Sequence, residues 1–377
     1  MRICLVGPAY PYRGGISHFT QMLSATMTAE GHQPHIVSFT RLYPSFLFPG
    51  RTQYEEQGAR VRIEGERVID SIDPRSWRRA GRAVAEFRPD VIIVQWWHPF
   101  FAPAFRSVVS NARRAGANVP VVYLCHNVLP HEENRADRML VRWGLAKADA
   151  FLVQSKEDRA KLLSLRSGAR VSIHPHPTYT QFAGGTLTRD EARLRLGVKG
   201  RVLLFFGLIR PYKGLHTLLQ AYARVAEKLD ATLLIVGEFY EKRAPYDAEI
   251  SALGIGARVM VVSRYIPDEE VQVYFRAADL VVLPYKSATQ SGITQTAFAF
   301  ERPVVVTAVG GLPDVVDDGV TGFVVPPEDP EALAAAIERF FAIGAADSMA
   351  AAIRAQSDRF SWKGCVNALL ALAGPPS

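Results

Sequence analysis

Short apolar, β-branched runs recur along the chain, and each is followed by a segment of helical character. In the first half the runs are Arg2–Gly7, Pro34–Phe39, Asp90–Gln95, Val119–His126, Ala150–Ser155 and Arg170–His174. In the second half they are Arg201–Gly207, Ala231–Gly237, Arg258–Ser263, Leu280–Pro284, Pro303–Ala308 and Gly322–Val325. Strands that are apolar throughout, rather than at alternate positions, are covered on both faces. That predicts parallel sheets with helices on each side. Runs of this kind in both halves predict an α/β chain of two doubly wound, Rossmann-like domains, at residues 1–180 and 181–362. Pro175, Pro177, Gly184 and Gly185 punctuate the linker between them, with a short charged helix around Arg189–Leu196. Phe360-Ser361-Trp362 introduces a last helix near Gly364–Ala373. The segment 363–377 is expected to pack back on the first domain.

Composition narrows this picture. A chain of 377 residues, 48% hydrophobic and 21% charged, has room for two cores in an ordinary globular balance. No uncharged apolar run reaches the roughly 18 residues of a membrane span. The first residues, MRICLVGPAYPYRGG, read as a buried strand rather than a secretory signal. Cys4, Cys125 and Cys365 are far apart and lack C-x-x-C spacing, so they read as reduced core thiols of a cytoplasmic protein. The net charge of +7 is uneven: residues 1–180 hold 24 Lys/Arg and 15 Asp/Glu, the remainder 20 and 22. A basic first half suggests an anionic partner surface, such as membrane lipid at the inner membrane face, lipid phosphate or nucleic acid; a surplus of arginine for solubility is the plainer reading. Trp77, Ala80, Val84 and Phe87 have the spacing of a core-facing helical stripe, which leaves Arg78, Arg79 and Arg82 outside.

In open parallel sheets ligands bind beyond the carboxyl ends of the strands, so candidate chemistry sits directly after them. Gly14-Gly15-Ile16 opens a helix after the first run, where backbone amides can approach an anion. His126 and Asn127 end the run Val119–His126, and His131 and Glu132 follow on the same loop. The strongest signal is Phe205-Phe206-Gly207-Leu208-Ile209-Arg210-Pro211-Tyr212-Lys213-Gly214. Its Arg210 and Lys213, three apart on a loop stiffened by proline, can aim two cations at one diphosphate. After Pro284-Tyr285, Ser291 is placed to cap a helix whose Gly292 and Ile293 amides can bind phosphate oxygens. Val309-Gly310-Gly311-Leu312-Pro313-Asp314 forms a further strand-to-helix turn.

Together these segments resemble the retaining GT-B glycosyltransferases of family 4. The likeness rests on the G-G-I loop, His126, G-x-x-R-x-x-K-G at Gly207–Gly214 and R-P-V-V-V-T-x-V-G-G-L-P-D at Arg302–Asp314. It extends through the D-G-x-T-G-x-x-V-P-P segment at Asp318–Pro327 to F-S-W at Phe360–Trp362. The resemblance implies that Arg210 and Lys213 hold a donor diphosphate, assisted by Gly292 and Ile293. It also implies that Gly15 approaches the phosphate or acceptor from the other domain and that His126 touches the transferred sugar. Gly14, Asn127, His131 and Glu132 would line the acceptor side. The family usually carries two glutamates eight apart, and those positions are Ala288 and Thr296 here. The second of these glutamates takes the ribose hydroxyls in the family, so here Thr296 or Gln295 serves the ribose more weakly, with Ser291 nearby, or another group does so.

The chain has no Asp-x-Asp, which points away from a metal carrying the diphosphate, and no cofactor is expected. The resemblance implies front-face transfer of a sugar from a nucleotide diphosphate-sugar to a sugar or lipid-linked sugar acceptor. Two alternatives stand beside it: a nucleotide-sugar epimerase of the same fold, and a nucleotide-sugar-binding protein with little turnover. A nicotinamide dehydrogenase is disfavoured because G-x-G-x-x-G with a following acid is absent. Nucleic-acid binding is disfavoured because the arginines fall in no recognised module.

Overall fold

The computed structural model describes residues 1–45, 52–55, 62–130 and 135–374. Two compact units emerge. The first takes the chain up to Pro175 and returns at Phe360, and the second runs His176–Arg359.

The first unit is built on strands β1 (Arg2–Val6), β2 (Gln33–Arg41), β3 (Glu66–Asp70), β4 (Val91–Trp96), β5 (Val121–Cys125), β6 (Ala150–Val153) and β7 (Arg170–Ile173). They form one sheet in the order β3-β2-β1-β4-β5-β6-β7, parallel throughout. Strand β3 is not among the apolar runs. Its sequence ERVID is largely polar because it lies at the sheet edge, half exposed, where no second neighbour demands an apolar surface.

Chain direction along the sheet decides which face each helix covers. The connections β3 to β4, β4 to β5 and β5 to β6 all advance the same way. Right-handed crossovers therefore put helices Pro74–Glu86, Ala102–Arg114 and Arg135–Leu145 on one face. The step from β1 to β2 runs backwards and sends helix Gly15–Ala29 to the other. There it meets the last helix, Trp362–Ala373, which also touches β5, β6 and β7. Ser361 caps that helix by accepting from the Gly364 amide at 3.1 Å, and Trp362 packs edge-on against Phe19 at 4.8 Å. The Arg170 guanidinium donates to the carbonyls of Ala371, Leu372 and Gly374 at the helix end, groups that have no partner within the helix.

The second unit repeats the design with β8 (Arg201–Phe206), β9 (Ala231–Val236), β10 (Val259–Val262), β11 (Leu280–Leu283), β12 (Val304–Thr307) and β13 (Gly322–Val325). The order is β10-β9-β8-β11-β12-β13, again parallel. Both sheets have their order reversal beside the first strand, β1 or β8, which is where such folds bind ligands.

The three cysteines are free and buried, and burial pushes their thiols well above the ordinary value. Among the described residues no helix is long and apolar enough to cross a membrane.

Candidate functional site

The loop leaving β8 is held by backbone contacts to its neighbours. Ile209 donates its amide to the Glu238 carbonyl and accepts from the Tyr240 amide, each at 2.9 Å. A single 3-10 turn, Pro211–Lys213, ends at Gly214 with φ 69°. A Cβ on Gly214 would stand 1.8 Å from the Pro284 carbonyl oxygen. Only glycine therefore lets the β8 and β11 loops come together, and the Lys286 amide donating to the Tyr212 carbonyl at 2.8 Å fastens them.

This backbone sets two cations beside aromatic faces. Lys213 Nζ lies 3.8 Å from the Tyr285 ring centroid and 5.4 Å from that of Tyr212. The Arg210 guanidinium carbon lies 4.8 Å from the Tyr240 ring. Among the described residues no carboxylate pairs with either side chain. Burial draws the Lys213 ammonium below its usual pKa, the Arg210 charge lowers it further, and Tyr212 opposes the shift. Two neighbouring cations with no internal counter-ion are a ready receptor for an anion.

The β11 loop brings in backbone donors. Ser291 Oγ accepts from the Thr294 amide at 3.2 Å and so caps helix Gly292–Ala299. The Tyr285 hydroxyl lies 3.3 Å from Ser291 Oγ, while Thr307 Oγ1 donates to the Tyr285 carbonyl at 2.6 Å. One tyrosine thus carries Lys213 on its face and the helix cap at its hydroxyl. The Gly292 and Ile293 amides, at the positive end of the helix, have no acceptor among the described residues. Gly310, with φ 55°, fits only because it lacks a Cβ, which would meet the Ala288 carbonyl oxygen at 1.8 Å. Gly311 donates to Thr289 at 2.9 Å, so the turn after β12 buttresses this loop.

At the ribose positions the structure separates the two candidates. Thr296 Oγ1 donates to the Gly292 carbonyl within its own helix at 2.9 Å. Gln295 is only 1% exposed, yet neither its Nε2 nor its Oε1 has a hydrogen-bond partner. A buried amide in that state costs free energy unless something pairs with it.

Residues 14–178 match the model of the glycosyl transferase 4-like domain, and residues 200–342 match that of glycosyl transferases group 1. The chain belongs to the GT-B glycosyltransferases of family 4. A D-inositol 3-phosphate glycosyltransferase of Geodermatophilus obscurus is 32% identical over 241 residues, covering 60% of this chain and 52% of that protein. The chain thus spans about half the length of the curated relatives it matches. Sucrose-phosphate synthase from Thermosynechococcus elongatus superposes with a TM-score of 0.76 at 20% identity, over 99% of this chain and 98% of that one. Anabaena HepE in complex with UDP gives 0.74 at 19% identity, over 98% of each chain. The same protein has been solved with UDP-glucose.

In the family 4 chain's first unit, Gly14 has φ 105° and begins helix Gly15–Ala29 with no side-chain cap. His126 follows β5 but is only 8% exposed. Its Nε2 lies 2.7 Å from Gln95 Oε1, and its ring packs edge-on against Phe19 at 4.7 Å. Asn127 beside it is half-buried. His131 and Glu132 lie outside the described residues. Arg210, Lys213, Ser291, Gly292, Ile293, Gln295 and Thr296 all sit on the β8 and β11 loops of the second unit. Tyr285, Tyr240 and Gln95 were not singled out from the sequence. Their signal is an aromatic or amide just beyond, or at the end of, an apolar strand.

Proposed function

We propose that the protein transfers a sugar from a nucleoside diphosphate sugar to an acceptor hydroxyl, with retention of configuration and without a metal. The observation that carries this is the counter-ion-free pair Arg210 and Lys213, joined through Tyr285 to the unpartnered amides of Gly292 and Ile293. Those groups match a diphosphate in charge and in hydrogen-bond capacity. HepE's complexes with UDP and UDP-glucose and the family membership support a nucleotide-sugar donor. The absence of Asp-x-Asp from the sequence supports neutralisation by side chains and amides.

In the step proposed, the bond between the donor's anomeric carbon and the β-phosphate oxygen breaks as negative charge grows on that phosphate. Arg210, Lys213 and the two amides stabilise the charge; each such preorganised donor is typically worth about 3–4 kcal/mol in the barrier. The acceptor oxygen bonds to the anomeric carbon on the face the phosphate leaves, and its proton passes to the departing phosphate oxygen. The products are a nucleoside diphosphate and a glycoside. Gln295, whose amide is free, is assigned to the ribose in place of the family's glutamate. His126, positioned by Gln95, is assigned to the transferred sugar, Gly15 to the donor phosphate or the acceptor, and Gly14 to the acceptor side.

The acceptor is read as a lipid-linked sugar, because the first unit is strongly basic. The inositol 3-phosphate in the name of the curated relatives, about half of whose length this chain spans, belongs beside it in any trial. Nucleotide sugars incubated with both acceptor classes, with products read by mass spectrometry, test the reading. A glycoside plus nucleoside diphosphate is expected, with turnover about a hundredfold lower in Arg210→Ala. Conversion of the donor sugar without any acceptor would instead mark an epimerase.

A further inference from the structure

Three of the helices on one face of the first sheet carry an arginine-rich charge set; the fourth, Lys156–Leu165, adds three cations and two acids beyond them. Pro74–Glu86 has four arginines, Ala102–Arg114 three and Arg135–Leu145 three, with no lysine, against Glu86 and Asp137 as the acids. They form one continuous layer. A Cβ on Gly81 would meet Asn111 Cβ at 2.5 Å and the Val108 carbonyl oxygen at 2.8 Å, so the first two helices are in close contact. A Cβ on Gly144 would meet Ala102 Cβ at 2.7 Å and Trp96 at 2.9 Å, which seats the third beside the second. Arg75, Arg78, Arg79, Arg82, Arg114 and Arg142 point outwards, all exposed. None of the six side chains has a hydrogen-bond or ion-pair partner among the described residues.

The third helix adds apolar groups to this basic field. Its inner side, Val141 and Leu145, is buried in the core. Its outer side displays Met139 at 75% exposure and Trp143 at 44%. These two are four residues apart and therefore adjacent on the helix surface. The Arg106 guanidinium carbon stands 4.7 Å over the Trp143 ring and the same side chain donates to the Trp143 carbonyl at 2.9 Å. The indole is thus stacked against Arg106 of the neighbouring helix, with Trp143 still 44% exposed.

We propose that this three-helix face docks the protein on an anionic lipid bilayer, with Met139 and Trp143 entering the headgroup region and the arginines pairing with lipid phosphates. Guanidinium forks suit phosphate oxygens, and an exposed tryptophan beside a basic helical face is an interfacial anchor. A duplex nucleic acid would use the charge but give Met139 no role. The surface deepens the lipid-acceptor reading above. Its test omits donor and acceptor, so failure here is distinguishable from failure of the transfer reaction.

The test is cosedimentation of the full chain with vesicles of phosphatidylcholine alone or with phosphatidylglycerol, at low and high salt. Binding is expected only with phosphatidylglycerol, and it weakens as salt rises. At roughly 1 kcal/mol per cation near an anionic leaflet, the triple variant Arg79→Gln, Arg82→Gln, Arg142→Gln weakens binding about a hundredfold. Met139→Ser with Trp143→Ser weakens it while leaving the salt dependence in place. Brominated lipid quenches tryptophan fluorescence in the parent more than in Trp143→Phe, which retains the fold by keeping an aromatic ring. No binding to phosphatidylglycerol at low salt overturns the proposal. So does binding indifferent to both multiple variants, or quenching equal in parent and Trp143→Phe. Duplex DNA that displaces the vesicles and binds the Met139/Trp143 variant like the parent overturns it in favour of a nucleic-acid surface.

Discussion

Replacing Lys213 by Met keeps the length of the side chain and removes its charge. Lys213 Nζ has no acceptor among the described residues, only the Tyr285 ring at 3.8 Å and the Tyr212 ring at 5.4 Å. No carboxylate is orphaned by the change and only a cation–π contact is lost, so unfolding free energy should fall by about 1 kcal/mol or less. The effect falls on the reaction instead. Losing one preorganised donor costs about 2.7–4 kcal/mol, so kcat/KM drops roughly 100- to 1000-fold. The pH dependence follows from the lowered pKa of this ammonium, caused first by burial and then by Arg210. A cation with a lowered pKa loses its proton earlier as pH rises. kcat/KM, which reports the free enzyme, therefore declines below the pH at which an ordinary lysine titrates. A bound diphosphate holds the proton on, so the corresponding limb of kcat lies higher, and Lys213→Met abolishes both limbs. Steady-state kinetics across pH, with calorimetric titration of UDP, measure all of this. Parental kcat/KM together with parental UDP affinity in Lys213→Met would refute the reasoning.

Four further outcomes follow from the geometry. Gly214→Ala puts a Cβ 1.8 Å from the Pro284 carbonyl at φ 69°; both backbones must shift, so denaturant unfolding should show a loss of about 2 kcal/mol or more and UDP binding should weaken. Gln295→Leu removes an unpartnered buried amide and should raise thermal stability while weakening UDP. Thr296→Glu should give no gain in UDP affinity, because the Thr296 hydroxyl is turned back onto its own helix; a clear tightening in calorimetry would transfer the ribose role to Thr296. Asp158 is fully buried, and burial pushes its carboxyl up from 3.8 to about 6, against hydrogen bonds from Ser155 and the Val128 amide. Its folded-state pKa exceeds the unfolded one, so the fold favours the protonated form. The penalty is absent below about pH 4, grows through the interval and is complete above about pH 6, reaching roughly 3 kcal/mol. Relative to the parent, Asp158→Asn should therefore gain stability as pH rises from 4 to 7, and equal pH profiles in urea denaturation would contradict this.

The continuous apolar runs were legible because a strand covered on both faces has no polar positions to hide it. Strand β3 was not, because ERVID at a sheet edge has the composition of a loop. The helical stripe of Trp77, Ala80, Val84 and Phe87 does face the core, with Ala80 and Val84 fully buried and the two aromatics packed against them. Strand-end reading located the loops that carry Arg210, Lys213 and Ser291. It did not show that Tyr285 joins them, because Lys213 and Tyr285 are far apart in sequence and meet only through the β8 and β11 neighbours. The Gln95 partner of His126 was hidden for the same reason: β4 and β5 are adjacent in the sheet, while the residues are 31 apart in the chain. The difference between Thr296 and Gln295 rests on one hydroxyl bonding back to its own helix, which no residue pattern encodes. The basic layer was visible as charge, but Met139 and Trp143 stand out only once Val141, Gly144 and Leu145 are seen turned inwards.

The anomeric configuration of the product tests the central claim most directly. Proton NMR of the glycoside formed from an α-linked nucleotide sugar, in a reaction containing excess EDTA, reports stereochemistry and metal dependence together. The account predicts an α-linked product formed at the rate seen without chelator. A β-linked product, or no product until magnesium or manganese is restored, would contradict it.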